Sequence, residues 1–381
     1  MSVTRSFCRQ AGLCAALLLY AFSRCLSAGT IYSQDNLVSD VSGLANTLDP
    51  NLKNPWGVSF AAQSPFWVSD QATSVSTLYD GAGNVVPLVV TIPKTGFPNG
   101  PTGQVFNGNR NSFILPDNSA ALFLFVTLDG QLTGWNPGTG TAAVNVATTA
   151  GAVYTGLALG NVGPANYLYA ADQTGHIDVF DSGFKNVTNT IFAGKFVDKN
   201  ALPGFNPFNI QDINGDLYVT YAKTVLGIGQ PGGFVDEFDS RGNLLKRIAT
   251  SGSLYAPWGI TLAPSKFGSF SGDLLIGQFG NGEILAYNPS NDAFLGTLNG
   301  KNGQPIINPF LWALDVRTGG TAVNLNAVYF TSGYNNQKDG LFGAITVAPE
   351  PGTITLFLAA VGSLGTGHLV RRRKRLSSHS A

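Results

Sequence analysis

Carboxylates recur at one place along the chain. Asp70 in "PFWVSD" and Asp172 in "YLYAAD" close matching apolar runs, and Asp129 lies slightly further along, two residues past the end of "LFLFVT". Oxygen ligands suit a hard cation, so three such groups converging at one mouth could collect Ca²⁺. The competing reading has each carboxylate capping its own turn by accepting nearby backbone N–H groups. We prefer the second, because the matching positions further on offer Ala222, Gln278 and Ser332 and the acidic set is incomplete. No bound metal or other cofactor is therefore expected. "DINGDLY", residues 212–218, opens like a calcium loop but lacks the distal bidentate glutamate. Its Asn214-Gly215 between two apolar runs is a hairpin signal. His176, His368 and His379 are the only histidines, and the last two lie in the tail, so a Ser-His-Asp triad could use only His176. Asp178 lies merely two residues along from it, and a turn or surface role is expected, with no catalytic residue assigned. A second set stands among the entries to the six inner strands: Asn54, Trp56, Gln104, Asn206, Phe208, Trp258 and Asn308. Amides beside aromatic faces are what neutral sugars require of a binding site. The alternative is that Trp and Phe pack in the interior while Asn-Pro forms each turn, and packing is the preferred reading.

The elements that must position these residues follow from self-similarity. An aromatic followed by Asp or Asn closes an alternating run five times, in "VSTLYD", "QLTGWN", "HIDVFD", "FVDEFD" and "EILAYN". Ahead of these recur "NPWGVSF", "PTGQVF", "YTGLAL", "NPFNIQ", "APWGIT" and "PFLWALDV", at intervals of 47 to 54 residues. Between the two sits a third element, such as "PFWVSD" or "DLLIGQ". With little helical periodicity and many glycines, each unit reads as four strands in about 50 residues, the size of a propeller blade. Six copies predict an all-β, six-bladed β-propeller over residues 29–348. Units one to five are each expected to possess an outer strand, exemplified by "NVVPLVVTI", "NVTNTIFAG" and "NLLKRIAT"; unit six has none. "TIYSQDNLVSD", residues 30–40, is a leading strand without a blade, and it is expected to complete blade six and remove an exposed edge.

The chain ends carry addresses. Arg5 and Arg9, an apolar run over 11–22 and small residues at Ser27 and Ala28 predict a secretory signal peptide over 1–28, removed by signal peptidase. All three cysteines, Cys8, Cys14 and Cys25, fall inside it, so the mature chain has neither disulfides nor thiolate metal ligands. Residues 29–348 carry 14 Lys and Arg against 21 Asp and Glu, a surface that repels phosphate backbones and anionic headgroups. Neither nucleic acid nor a peripheral membrane surface is an expected partner. Residues 353–370 contain no charge and, at about 1.5 Å per residue, just reach across a hydrocarbon core of about 30 Å. Arg371, Arg372, Arg373, Lys374 and Arg375 follow and would remain cytoplasmic, leaving the bulk of the chain outside. Residues 376–381 form a short polar tail.

Pro349-Glu350-Pro351, the apolar helix and the basic cluster together resemble the PEP-CTERM sorting tail of Gram-negative bacteria, here over 349–375. That resemblance implies a transient membrane anchor read by an exosortase, in organisms that often make exopolysaccharide. "LYAADQTGHIDVFD", residues 168–181, looks like an NHL-type repeat through Asp172, Gly175 and Ile177. The whole chain is similar to an uncharacterised group of exported propellers, which implies the fold but no activity. Two functions are open. One is a non-catalytic binding or scaffold protein at the cell surface or in the exopolysaccharide matrix, whose partner is that polysaccharide or another surface protein. The other resembles the lactonase and gluconolactonase propellers, with one divalent cation in the channel; it needs a carboxylate on an inner strand, where only Asp212 and Asp315 occur. The first is preferred, since fold does not fix activity.

Overall fold

The alternating apolar runs form short antiparallel strands, because β-branched and aromatic side chains fit a pleated, half-buried surface and Gly-rich turns separate them. The structure, a computed structural model, describes residues 30–349 apart from 95, 97–99, 226 and 251. The expected signal peptide, Glu350, Pro351, the apolar span 353–370 and the basic cluster 371–375 lie outside the described residues.

Six sheets surround one axis. The inner strands are Pro55–Ser59, Pro101–Phe106, Tyr154–Val162, Asn206–Ile213, Pro257–Leu262 and Leu311–Asp315, in blades one to six. Each inner strand contacts the next, and the sixth contacts the first, so the ring is closed. The architecture is the six-bladed β-propeller that the repeats predict. Buried apolar side chains sort into seven clusters, six of them between successive blades and the seventh on the axis.

Every inner strand has a register irregularity near its entry, the kind of bulge that bends a strand locally, at the corresponding place in each blade. Glycine is needed there for close approach rather than for a special dihedral angle. A Cβ on Gly103 would lie 2.3 Å from Leu157 N, and one on Gly259 would lie 2.4 Å from Trp312 O.

The N-terminal strand Tyr32–Ser39 pairs antiparallel with the last strand, Leu341–Val347, over seven residue pairs and is the outer strand of blade six. Tyr32, Leu37 and Val38 are buried there. A two-residue strand, Thr47–Leu48, adds to it in parallel, a fifth strand that alternation alone does not reveal.

Blade three departs from expectation. Its sheet has three strands, Tyr154–Val162, Ala165–Asp172 and His176–Asp181, and "NVTNTIFAG" forms turns instead of a fourth. Val187 N still reaches Val179 O, and Thr188 Oγ1 accepts the Val179 N–H. Phe192 and Phe196 then turn inward onto Tyr167 and Tyr169. Burying two large rings outweighs extending a ladder on an edge that polar side chains already satisfy.

Candidate functional site

The turns entering the inner strands and the turns closing the second strands share one face. There they surround a cavity of about 490 Å³. Its walls carry the amides of Asn54, Gln71, Gln173 and Gln337 and the hydroxyls of Thr155 and Thr224; Trp56, Phe208, Phe279 and Trp312 line its base. Among the described residues, none that lines it is charged. A short ribbon, Thr224–Val225 with Ile228–Gly229, stands at the rim.

The aromatic base is densely packed. Trp56 stacks on Trp312 with ring centroids 3.5 Å apart, and Trp258 meets both edge-on at 6.2 and 5.6 Å. Phe279 bridges Trp312 and Phe208. Trp312 Nε1 donates to Asn54 Oδ1 at 3.0 Å, and Asn54 Nδ2 donates to Gln71 Oε1 at 2.9 Å. Trp258 Nε1 donates to the Thr155 carbonyl. These bonds fix the wall amides on the ring of tryptophans, while Trp56 Nε1 is buried with no hydrogen-bond partner among the described residues.

Of the residues singled out in the sequence, Asn54, Trp56 and Phe208 meet at this cavity, and Trp258 belongs to the cluster beneath it. Asn206 supports the wall from behind, donating to the Gln173 carbonyl at 2.7 Å. Gln104 lies toward the opposite end, its Nε2 donating to the Gly57 and Trp67 carbonyls. Asn308 is elsewhere again: its amide exchanges two hydrogen bonds with Gln34 of the N-terminal strand, so it fastens blade six rather than lining the mouth. Gln71, Gln173, Phe279, Trp312 and Gln337 were not anticipated. The pair Asp-Gln at 70–71 and again at 172–173 was the signal available for two of them.

The three carboxylates each serve their own blade. Asp70 is fully buried, accepts from Thr77 Oγ1 at 2.7 Å, and is held by burial well above the ordinary carboxylate range. Asp129 accepts from Thr127 and Gln131. Asp172 accepts from Val153 N, Thr174 N and Thr174 Oγ1. Among the described residues, neither Asp70 nor Asp129 joins a group of three potential ligands.

A second cavity, about 230 Å³, opens at the other end of the axis. Gln104, Gln211, Asp212 and Asp315 line it. Burial raises Asp212 and pushes Asp315 up to about 7.

Comparison with known proteins agrees with this architecture. Residues 347–375 match the PEP-CTERM protein-sorting motif. The chain is 29% identical over 328 residues to an uncharacterized protein of Acanthamoeba polyphaga mimivirus, covering 81% of this chain and 84% of that one. A second uncharacterized protein of the same virus is 29% identical over 339 residues, covering 84% and 81%. Among solved structures, a protein of unknown function from Bacteroides thetaiotaomicron superposes with a TM-score of 0.50 at 11% identity, over 84% of this chain and 74% of that one. A glucose dehydrogenase gives the same score and identity, over 84% and 100%. Likeness at that identity establishes the fold alone. The protein is thus an exported, membrane-transiting molecule of the propeller class. More particularly, it is a six-bladed β-propeller that ends in a PEP-CTERM sorting tail.

Proposed function

We propose that this protein is an exosortase-processed propeller that works as a non-catalytic binding or scaffold protein at the cell surface or in the exopolysaccharide matrix. The observation that carries the reading is the uncharged cavity of about 490 Å³ with amide and hydroxyl walls. Such a site offers donors and acceptors to a neutral polyhydroxyl ligand and provides no general base or nucleophile activated by one. The tryptophan faces are largely spent on each other, since Trp56 and Trp312 are 5% and 1% exposed. Recognition therefore falls to the wall amides, which favours a short or terminal saccharide unit over a long stacked chain.

The test is calorimetry of the purified full chain against neutral mono- and oligosaccharides, beside Gln173→Ala and Gln337→Ala. One hydrogen bond contributes about 0.5–1.5 kcal/mol, so each variant should bind about two- to tenfold more weakly, with an unchanged melting temperature. Saccharide binding that ignores both substitutions, or its absence in the parent, overturns the reading. The lower cavity supports a second reading, a metal-dependent lactonase-like hydrolase, because Asp212 and Asp315 meet Gln104 and Gln211 there. Lactone hydrolysis lost in Asp315→Asn but kept in Gln173→Ala would select it.

A further inference from the structure

The hairpin that joins the second and third strands of blade three brings three potential ligands together outside both cavities. Asp172 ends one strand, His176 begins the next and pairs directly opposite it, and Asp178 follows on the same strand face as His176. Their ligating atoms all lie within 4.8 Å of one another, the only such group of three among the described residues. His176 Nε2 is 3.5 Å from Asp172 Oδ2 and 3.4 Å from Asp178 Oδ1.

Those distances discriminate between two chemistries. A charged histidine bonded to a carboxylate closes to about 2.7–2.9 Å, and both separations here are longer than that. Ligands about 2.0–2.2 Å from one tetrahedral metal ion are separated from each other by roughly 3.4 Å, the edge of the tetrahedron. The observed pair of separations matches that edge.

The carboxylates are also oriented in advance. Asp172 and Asp178 side chains are 1% and 4% exposed. Asp172 Oδ1 is taken by Val153 N and Thr174 N, and Asp178 Oδ2 accepts from the Tyr154 hydroxyl. Thr174 and Thr188 hydroxyls hold the remaining oxygens, each of which keeps a lone pair for His176 or an ion. Partners of this kind are what set ligand orientation in metal sites. Blade one is an internal contrast: in the matching register Asp70 faces Val75, and Thr77 stands where Asp178 does. The same hairpin there is closed by a hydroxyl and lacks the donor set.

We propose that Asp172, His176 and Asp178 bind one divalent transition-metal ion of the zinc type. One imidazole and two carboxylates suit such a borderline ion, whereas calcium takes six to eight oxygens. His176 is 51% exposed, so the fourth position faces solvent and is free for water or an external ligand. The neighbouring Gln173 lines the upper cavity, which places the ion beside its rim. The proposal stands apart from the saccharide reading, since neither site needs the other.

Cobalt(II) is the probe, because its visible absorption reports coordination number. The full chain, purified without a histidine tag and freed of metal, is titrated beside His176→Asn and Asp178→Asn; His368 and His379 remain in all three proteins and cancel. The parent should take one more Co²⁺ per chain than His176→Asn, with the intense bands of a four-coordinate ion that Zn²⁺ displaces. His176→Asn, altered only at a half-exposed position, should melt like the parent in chelator, so its loss of binding is not loss of fold. Equal Co²⁺ binding by parent and His176→Asn, or no binding by the parent, overturns the proposal.

Discussion

Asp315 ends the inner strand of blade six at the lower cavity, and burial moves its carboxyl from the ordinary 3.8 to about 7. A folded-state value above the unfolded one means that the native protein holds a proton which the unfolded chain releases. The associated stability is present in full below about pH 4 and is lost as pH rises through about 7. Asp236, held at about 6 by burial against its bond to Arg247, acts in the same direction, as does Asp70. The parent should therefore melt at lower temperature at about pH 8 than at about pH 5, and Asp315→Asn should show a shallower fall. Parallel melting profiles for the two proteins would show that Asp315 is ionised in the folded state. At this scale the sequence identified the aromatic and amide residues at the strand entries. It did not show that Trp56 and Trp312 occupy each other's faces, because that stacking joins blades one and six, which meet only when the ring closes. Nor could it show His176 between two carboxylates, which depends on a cross-strand register.

Strands were legible because their alternation reports one buried face, and blade boundaries because the pattern repeats. The outer strands were less so, since they bury little and their sequences are weakly constrained; in blade one the outer strand Val85–Thr91 alternates between exposed and covered positions. "NVTNTIFAG" shows the failure, where its Phe192, with Phe196 two residues beyond the segment, finds more burial in turns than in a ladder. The N-terminal strand is the opposite case. Deleting residues 29–40 removes the ladder to Leu341–Val347 and the buried Tyr32, Leu37 and Val38. Each fully buried aliphatic chain contributes about 1.5–3 kcal/mol against a total stability of about 5–15 kcal/mol, and a row of backbone groups is left unpaired. The deletion product should aggregate or melt far below the parent, while removal of residues 352–363 should leave the melting of the ring unchanged in detergent. An N-terminal deletion that melts like the parent would mean that blade six closes without this strand.

For the whole molecule, the sorting motif predicts a change of covalent state. In an exosortase-bearing host, the mature protein should lack everything after about residue 351, and intact-mass measurement reads this directly. Membrane-bound protein that keeps residues 371–375 in such a host would instead make the tail a lasting anchor. Address and architecture could be read without coordinates because both are written in local pattern: a charge-free span before five basic residues, and a strand unit repeated six times. Closure was readable too, since a repeat lacking one strand and a leader possessing one can satisfy each other. What a ligand would meet was not written locally. The upper cavity draws its wall from Asn54, Gln71, Gln173 and Gln337, on three different blades, and its base from rings that pack across the axis. Asn54 and Gln337 are more than 280 residues apart in the chain, and only closing the ring brings them around one cavity; no spacing rule encodes that convergence.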